Sequence, residues 1–258
     1  MKKTRIIFLM LCLYPFCSYA QLSSIGDSLH ITDNTVAFRP VQLVLPVSLV
    51  TVGVIGVVTP QLKKINRHVR DGMADLRRGH YFHADDYIQY LPVVSNFGLS
   101  LLGAKPKHTY LERTLVTATS YATMGIMVNA VKFVVNEQRP DGSAHNSFPS
   151  GHTATAFMGA ELVRMEYRDD SPLYGVGAYT IAFGVAFLRL YNERHWCNDI
   201  LAGAGIGILS ARIGFWLLPL ERKLLKLDKV HGREVGVTFV PYYEHSSKSM
   251  GGMFAISF

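Results

Sequence analysis

The chain has 258 residues, 49% of them hydrophobic and only 17% charged. That length supplies one sizeable core without a clear second domain, and the charge fraction falls below the quarter typical of a soluble domain. The formal net charge of +7 suits anionic headgroups or a phosphate; no Lys/Arg stripe interleaves with aromatics, which argues against nucleic acid.

Mean hydropathy is +0.18, mild for a protein built wholly in a bilayer, so polar segments must accompany the apolar ones. Residues 1–20 read as a secretory signal peptide. Lys2, Lys3 and Arg5 form a basic start, residues 6–14 an apolar middle, and Ser18, Tyr19 and Ala20 a small-residue end. The alternative is an uncleaved anchor. Cys12 and Cys17 fall in this segment, which leaves Cys197 alone as a small packing residue. Residues 21–40 are a polar lead-in. Residues 41–59 are apolar, lack charge and are about long enough to cross a bilayer.

In 61–86, Lys63, Lys64, Arg67, Arg70, Arg77 and Arg78 alternate with apolar positions, which predicts an amphipathic helix at a membrane surface. His80, His83, Asp85 and Asp86 could be read as metal ligands; a solvated or interfacial edge is the preferred reading. Residues 87–103 are apolar but interrupted by Pro92 and Asn96, and 105–113 form a basic loop. Residues 114–135 predict a helix in which Thr117, Ala118, Thr119, Ser120, Ala122 and Gly125 permit close packing, and it ends by presenting Lys132.

A polar loop, 136–149, contains His145, expected to be exposed. Helices follow over 151–167, 173–190 and 195–218. Gly203, Gly205 and Gly207 allow close approach in the last, and Pro219 is expected to end or kink it. Basic residues from Arg222 to Lys229 suit an exit at the membrane surface, and 231–258 read as a tail able to form a short hairpin. The fold class is therefore all-α. A bundle of about six core helices over 41–230, embedded in a membrane, precedes a β-hairpin-like C-terminal tail.

Three polar clusters stand at the ends of apolar segments: Lys132 to Pro140, Pro149 to His152, and Arg189 to Asp199. Together they suit a phosphate ester. A phosphoryl group in transfer carries charge on its equatorial oxygens, and fixed cations stabilise it. Lys132, Arg139 and Arg189 can supply that charge, the arginines through planar forks. Ser150 and Gly151 open a helix whose first N–H groups can hold an anion. His195 and Asp199 are four apart, so on a helix the carboxylate can orient the imidazole. An oriented histidine can attack phosphorus, and His152 can protonate the leaving oxygen.

These residues resemble the type 2 phosphatidic acid phosphatase superfamily, which also contains the class A acid phosphatases and the vanadium haloperoxidases. Its motifs run K-x6-R-P, P-S-G-H and S-R-x5-H-x3-D. Lys132 to Pro140 fits the first, Pro149 to His152 the second, and Arg189, His195 and Asp199 the third. The resemblance implies that Lys132, Arg139, Ser150, Gly151 and Arg189 bind phosphate, that His152 is the general acid, and that His195 is the nucleophile with Asp199 as its partner. It implies no metal and no cofactor. Leu188 replaces the usual Ser, Glu193 a common Gly, and Cys197 and Asn198 a frequent Pro-Ser.

The expected function is a phosphatase acting on a membrane lipid phosphate. The resemblance offers undecaprenyl diphosphate, lipid A, phosphatidylglycerol phosphate and phosphatidate as substrates. The alternatives are a soluble, non-specific periplasmic acid phosphatase, vanadium-dependent haloperoxidation, and a lipid-binding or transport protein with a vestigial site. No obligate protein partner is evident. A cleaved leader and a periplasmic site conflict if 41–59, 87–103 and 114–135 all span. Of these, 87–103 is the weakest candidate to cross, and the outward orientation comes from the resemblance.

Overall fold

A computed structural model describes residues 36–225 and 227, with the backbone alone of two strands beyond them. The expected leader, 1–20, and residues 21–35 of the lead-in lie outside the described residues. The described residues form eight helices: α1 (Val41–Val58), α2 (Pro60–Arg77), α3 (Asp85–Ile88), α4 (Leu91–Leu101), α5 (Tyr110–Val135), α6 (Gly151–Tyr167), α7 (Pro172–Tyr191) and α8 (Cys197–Leu224). Strands β1 (Gly236–Glu244) and β2 (Ser249–Ser257) pair antiparallel, Gly236 opposite Ser257. Residues 245–248, the turn of the expected hairpin, lie outside the described residues.

Local chemistry sets the helix starts. Thr109 and Glu112 form a reciprocal capping box at α5. Ser150 and Ser171 cap α6 and α7 through their hydroxyls. Prolines stand in the first turns of α2 and α7, where no intrahelical N–H is needed.

Two expectations need correction and a third is narrowed. The amphipathic helix stops at Arg77 rather than continuing to 86, because Arg78 (φ 50°) and Gly79 (φ 83°) turn left-handed. Of the two outcomes expected at Pro219, an end is excluded, because the last helix continues to Leu224. There Arg222 Nε pairs with Glu112 Oε1 at 2.7 Å, and Glu221 accepts from Thr119, tying the final turns to α5. The small residues of α5 do not all serve packing: Thr117 and Ser120 are buried, but Ala118 and Ala122 are exposed and Gly125 has open space beside it.

The central element is α6, buried almost throughout from Thr153 to Tyr167 and flanked by α4, α7 and α8. Close approach depends on small residues of α8. A Cβ on Gly207 would lie 2.9 Å from the Met158 nitrogen of α6, and one on Gly205 2.6 Å from the Pro46 carbonyl of α1. Charge buried in α6 is paired, as burial requires. Glu161 meets Arg164 and Arg212 at 2.7 Å and the Tyr179 hydroxyl at 2.6 Å. Glu166 meets His108 at 2.8 Å.

The helices α1, α5, α7 and α8 are long and apolar enough to cross a membrane. Val54, Ile126, Phe133 and Val176 on them are exposed. The central α6, 17 residues, is about 25 Å long at the α-helical rise.

The route of α4 bears on the topology that the sequence left open. It is only 11 residues long, yet it follows α3, which stands at one end of the bundle, and leads to the other end. There Lys105 N donates to Asp170 Oδ2 and Lys107 N to the Glu166 carbonyl. The start of α1 lies at that second end too: Phe38 packs edge-on against Trp216, and Arg212 donates to the Gln42 carbonyl. Residues 36–42 and the C-terminal part of α8 therefore share one end. Lys132, His152, Arg189 and His195 occupy the other.

Candidate active site

Four chain segments meet at that end: the C-termini of α5 and α7 and the N-termini of α6 and α8. Lys132 lies in the last turn of α5, which closes at left-handed Asn136. The Asn146 carbonyl accepts from Lys132 Nζ, and the Asn146 side-chain oxygen accepts from Arg139 Nε at 2.9 Å. One loop residue thus ties two cations of the first motif.

Ser150 and Gly151 form the start of α6. Ser150 is fully buried; its hydroxyl accepts from Thr153 N, and its own N–H donates to the Asp199 carbonyl at 3.0 Å. Gly203 of α8 lies under the Ser150 carbonyl, and a Cβ there would be 3.3 Å from the carbonyl carbon.

His195 precedes α8 and is 3% exposed. Its Nδ1 stands 3.3 Å from Asp199 Oδ2. That carboxylate also accepts from Ser147 Oγ at 2.5 Å, from Trp196 N at 2.8 Å and, on Oδ1, from Asn198 Nδ2 at 3.1 Å. Burial first, then the charges of Arg189, Arg139, Lys132 and His152, hold the His195 imidazole well below its ordinary proton affinity. All four groups therefore act on one ring.

Arg189, in the last turn of α7, is 5% exposed. Its Nη1 donates to Asp85 Oδ2 at 2.5 Å and reaches Asp86 Oδ1 at 3.4 Å, while its buried Nε has no protein partner. His152 Nε2 lies 2.9 Å from Asp86 Oδ1. Burial, then the Arg189 charge, lowers the His152 proton affinity; Asp86 and Asp85 oppose that. The structure thus brings Lys132, Arg139, Ser150, Gly151, His152, Arg189, His195 and Asp199 to one end of the bundle. His145 is exposed in the loop.

Asp85 departs from the reading of a solvated edge, whereas His80, His83 and Asp86 are exposed as that reading expects. Asp85 is fully buried, and Asn192 Nδ2 donates to its Oδ1 at 3.1 Å. The pair of adjacent carboxylates directly before an apolar segment was the available signal, although no spacing rule connects it to residues 152 and 189. Ligand atoms of Asp85, Asp86 and His152 lie within 4.8 Å of one another, a spacing able to hold a metal ion. Asp85 already uses both oxygens, on Arg189 and Asn192.

Sequence reasoning also missed Ser147, Asn146 and Glu137. Burial first, then the Asp199 charge, pushes the Glu137 carboxyl up to about 7. The departures acquire local reasons. Glu193 sits at φ 55°, the left-handed region that favours glycine, and its carboxylate meets Arg77 Nη2 at 3.0 Å. Asn198 is buried and bridges Asn66, Glu137 and Asp199. Asn66, Val69 and Arg70 of α2 line a small cavity against His195, Trp196 and Cys197. Nothing in the structure explains Leu188.

The chain is similar in sequence to known proteins. Residues 113–223 match the model of the PAP2 superfamily. The lipid A 1-phosphatase of Porphyromonas gingivalis is 35% identical over 232 residues, 85% of this chain and 52% of the relative. The bacitracin transport permease protein BcrC of Bacillus licheniformis is 30% identical over 121 residues, 45% of this chain and 55% of the relative. The chain spans about half the length of these curated relatives. A crystal structure of a transmembrane PAP2-type phosphatidylglycerolphosphate phosphatase from Bacillus subtilis aligns at a TM-score of 0.49, with 20% identity, covering 70% of this chain and 97% of that one. The segment that matches the PAP2 superfamily, residues 113–223, holds all three polar clusters, in order and gathered at one end of a helical bundle.

Proposed function

We propose that the chain is a phosphatase that removes phosphate from a membrane lipid through a phosphohistidine intermediate. The observation that carries this reading is the convergence of Lys132, Arg139, Arg189 and His152 on the buried His195 ring. Three cations around one imidazole form a cradle for a tetrahedral anion. With Nδ1–H donated to Asp199, His195 keeps its lone pair on Nε2, and the lowered proton affinity keeps that nitrogen free to attack.

His195 Nε2 bonds to phosphorus, and the phosphorus–oxygen bond to the lipid breaks. The departing oxygen takes the proton of His152. Water then gives a proton to His152 and attacks the phosphohistidine; the phosphorus–nitrogen bond breaks, and inorganic phosphate leaves. Lys132, Arg139, Arg189 and the α6 N-terminus at Ser150 and Gly151 hold the phosphoryl oxygens throughout. A bound phosphate offsets the Arg189 charge that depresses His152, so substrate restores the proton this acid needs.

Four helices of membrane-crossing length favour a lipid substrate over a soluble ester. The similarity to the lipid A 1-phosphatase of Porphyromonas gingivalis makes a lipid A-type glycolipid phosphate the first candidate. We place the site on the periplasmic side of the inner membrane. In that orientation residues 36–42 face the cytoplasm.

The test offers detergent-purified protein a panel of lipid A, phosphatidylglycerol phosphate, phosphatidate and undecaprenyl diphosphate, with and without chelator. Wild type should release phosphate from at least one, chelator should not stop it, and His195→Ala should abolish it. Full activity in His195→Ala would remove the nucleophile. Lipid binding without phosphate release would favour a vestigial site.

A further inference from the structure

We propose that Asp86 is a positioning residue for His152, so that the site holds two imidazole–carboxylate pairs, Asp199 with His195 and Asp86 with His152. The inference rests on the phosphatase reading above and deepens it.

The geometry is built rather than incidental. The short helix α3 is fixed to the C-terminus of α7 from two sides. Asp85 takes Arg189 Nη1 on one oxygen and Asn192 Nδ2 on the other. Asn192 also donates to the Phe82 carbonyl at 2.8 Å and accepts from Phe82 N at 3.0 Å. This clamp sets the position of the next residue, and Asp86 Oδ1 comes to 2.9 Å from His152 Nε2.

Two consequences follow from the choice of nitrogen. With Nε2 turned to Asp86, His152 presents Nδ1 as the atom that exchanges a proton with the leaving oxygen. His195 has the opposite arrangement, Nδ1 to its carboxylate and Nε2 to phosphorus. The charged groups facing His152 are Asp85 and Asp86 from α3, Arg189 from α7 and the His195 ring. Arg189 disfavours the imidazolium and the two carboxylates favour it. Asp86 is the one in contact with the ring.

Leaving groups discriminate this role from a structural one. A lipid phosphate releases a poor leaving group that needs a proton; p-nitrophenyl phosphate releases a good one that does not. Asp86→Asn, Asp86→Glu, Asp85→Asn and His195→Ala are compared on both substrates, with thermal unfolding in detergent as the folding control. General acids contribute about 10²- to 10⁴-fold. Asp86→Asn should therefore lose at least about tenfold more kcat/KM, which reports the step that expels the leaving group, on the lipid phosphate than on p-nitrophenyl phosphate. Its alkaline limb on the lipid should move to lower pH, and Asp86→Glu should recover part of the loss. Asp85→Asn, acting through Arg189, should raise KM on both substrates alike. Equal losses of Asp86→Asn on the two substrates, or no loss on either, would overturn the assignment. His195→Ala keeps the two questions apart: activity surviving there sinks the phosphohistidine reading. An Asp86-independent enzyme that still requires His195 sinks only this one.

Discussion

The backbone N–H of Ser150 donates to the Asp199 carbonyl at 3.0 Å, joining the N-terminus of α6 to the first turn of α8. His152 stands two residues from one end of this bond and His195 four from the other. The segments that carry the proposed acid and nucleophile are thus joined by a main-chain hydrogen bond, with Gly203 packed beneath it.

Asp199→Asn should leave the fold intact and lower kcat by about 10²- to 10⁴-fold, as a misdirected imidazole does in other histidine–carboxylate catalysts. Ser147 Oγ, Trp196 N and Asn198 Nδ2 all donate to this carboxylate. An amide accepts on one atom only, so it must lose partners. Steady-state kinetics at matched thermal stability measures the effect, and unchanged kcat would remove Asp199 from the proposed machinery.

Gly203→Ala should cost about 1–3 kcal/mol, the usual range for overpacking. Its Cβ would press on the Ser150 carbonyl and lie 3.3 Å from Thr153 Cβ. Gly125→Ala, with open space at its Cβ, should be neutral or gain about 0.5–1 kcal/mol from helix propensity. Thermal unfolding of both variants in one detergent gives the comparison; equal effects would mean that close packing at α8 is not stabilising.

Glu137 supplies a pH signature. Its folded-state pKa is raised to about 7, above the ordinary carboxyl value, by burial and by Asp199. Within that window the folded chain binds more protons than the unfolded one, so this group's contribution is present at low pH and is lost as pH rises through about 7. The Tm of Glu137→Gln minus that of wild type should therefore grow from pH 5 to pH 8. A difference independent of pH would show that Glu137 ionises normally.

The two ends of the bundle predict labelling from opposite sides of the membrane. Ser143, in the exposed loop at the site end, and Leu102, 85% exposed at the other, are suitable positions. With Cys12, Cys17 and Cys197 replaced by serine, a membrane-impermeant maleimide should label Ser143→Cys but not Leu102→Cys in spheroplasts. Permeabilised cells should label both. The reverse pattern would invert the proposed orientation, and equal labelling in spheroplasts would contradict the path of α4.

Legibility followed chain distance. The i,i+4 relation of His195 and Asp199 and the helix start at Ser150 are local facts, readable because a helix places such neighbours together. The Asp85–Arg189 and Asp86–His152 pairs span 104 and 66 residues, and no local pattern anticipates them. Length alone does not give the path of α4: the span rule asks for about twenty apolar residues. The 11-residue helix instead follows α3 and leads into the loop that reaches the far end.

Sequence alone determined the helical class, the three ordered clusters, the family resemblance and the chemistry those residue types can perform, because motif spacing and apolar periodicity are properties of neighbouring residues. Tertiary structure decided which nitrogen of each histidine meets a carboxylate, why a glutamate tolerates a glycine's backbone geometry at 193, and that the chain enters α1 at the end away from the site. Those outcomes arise from packing between elements distant in the chain, where hydrogen-bond partners and helix direction are set only when the bundle closes.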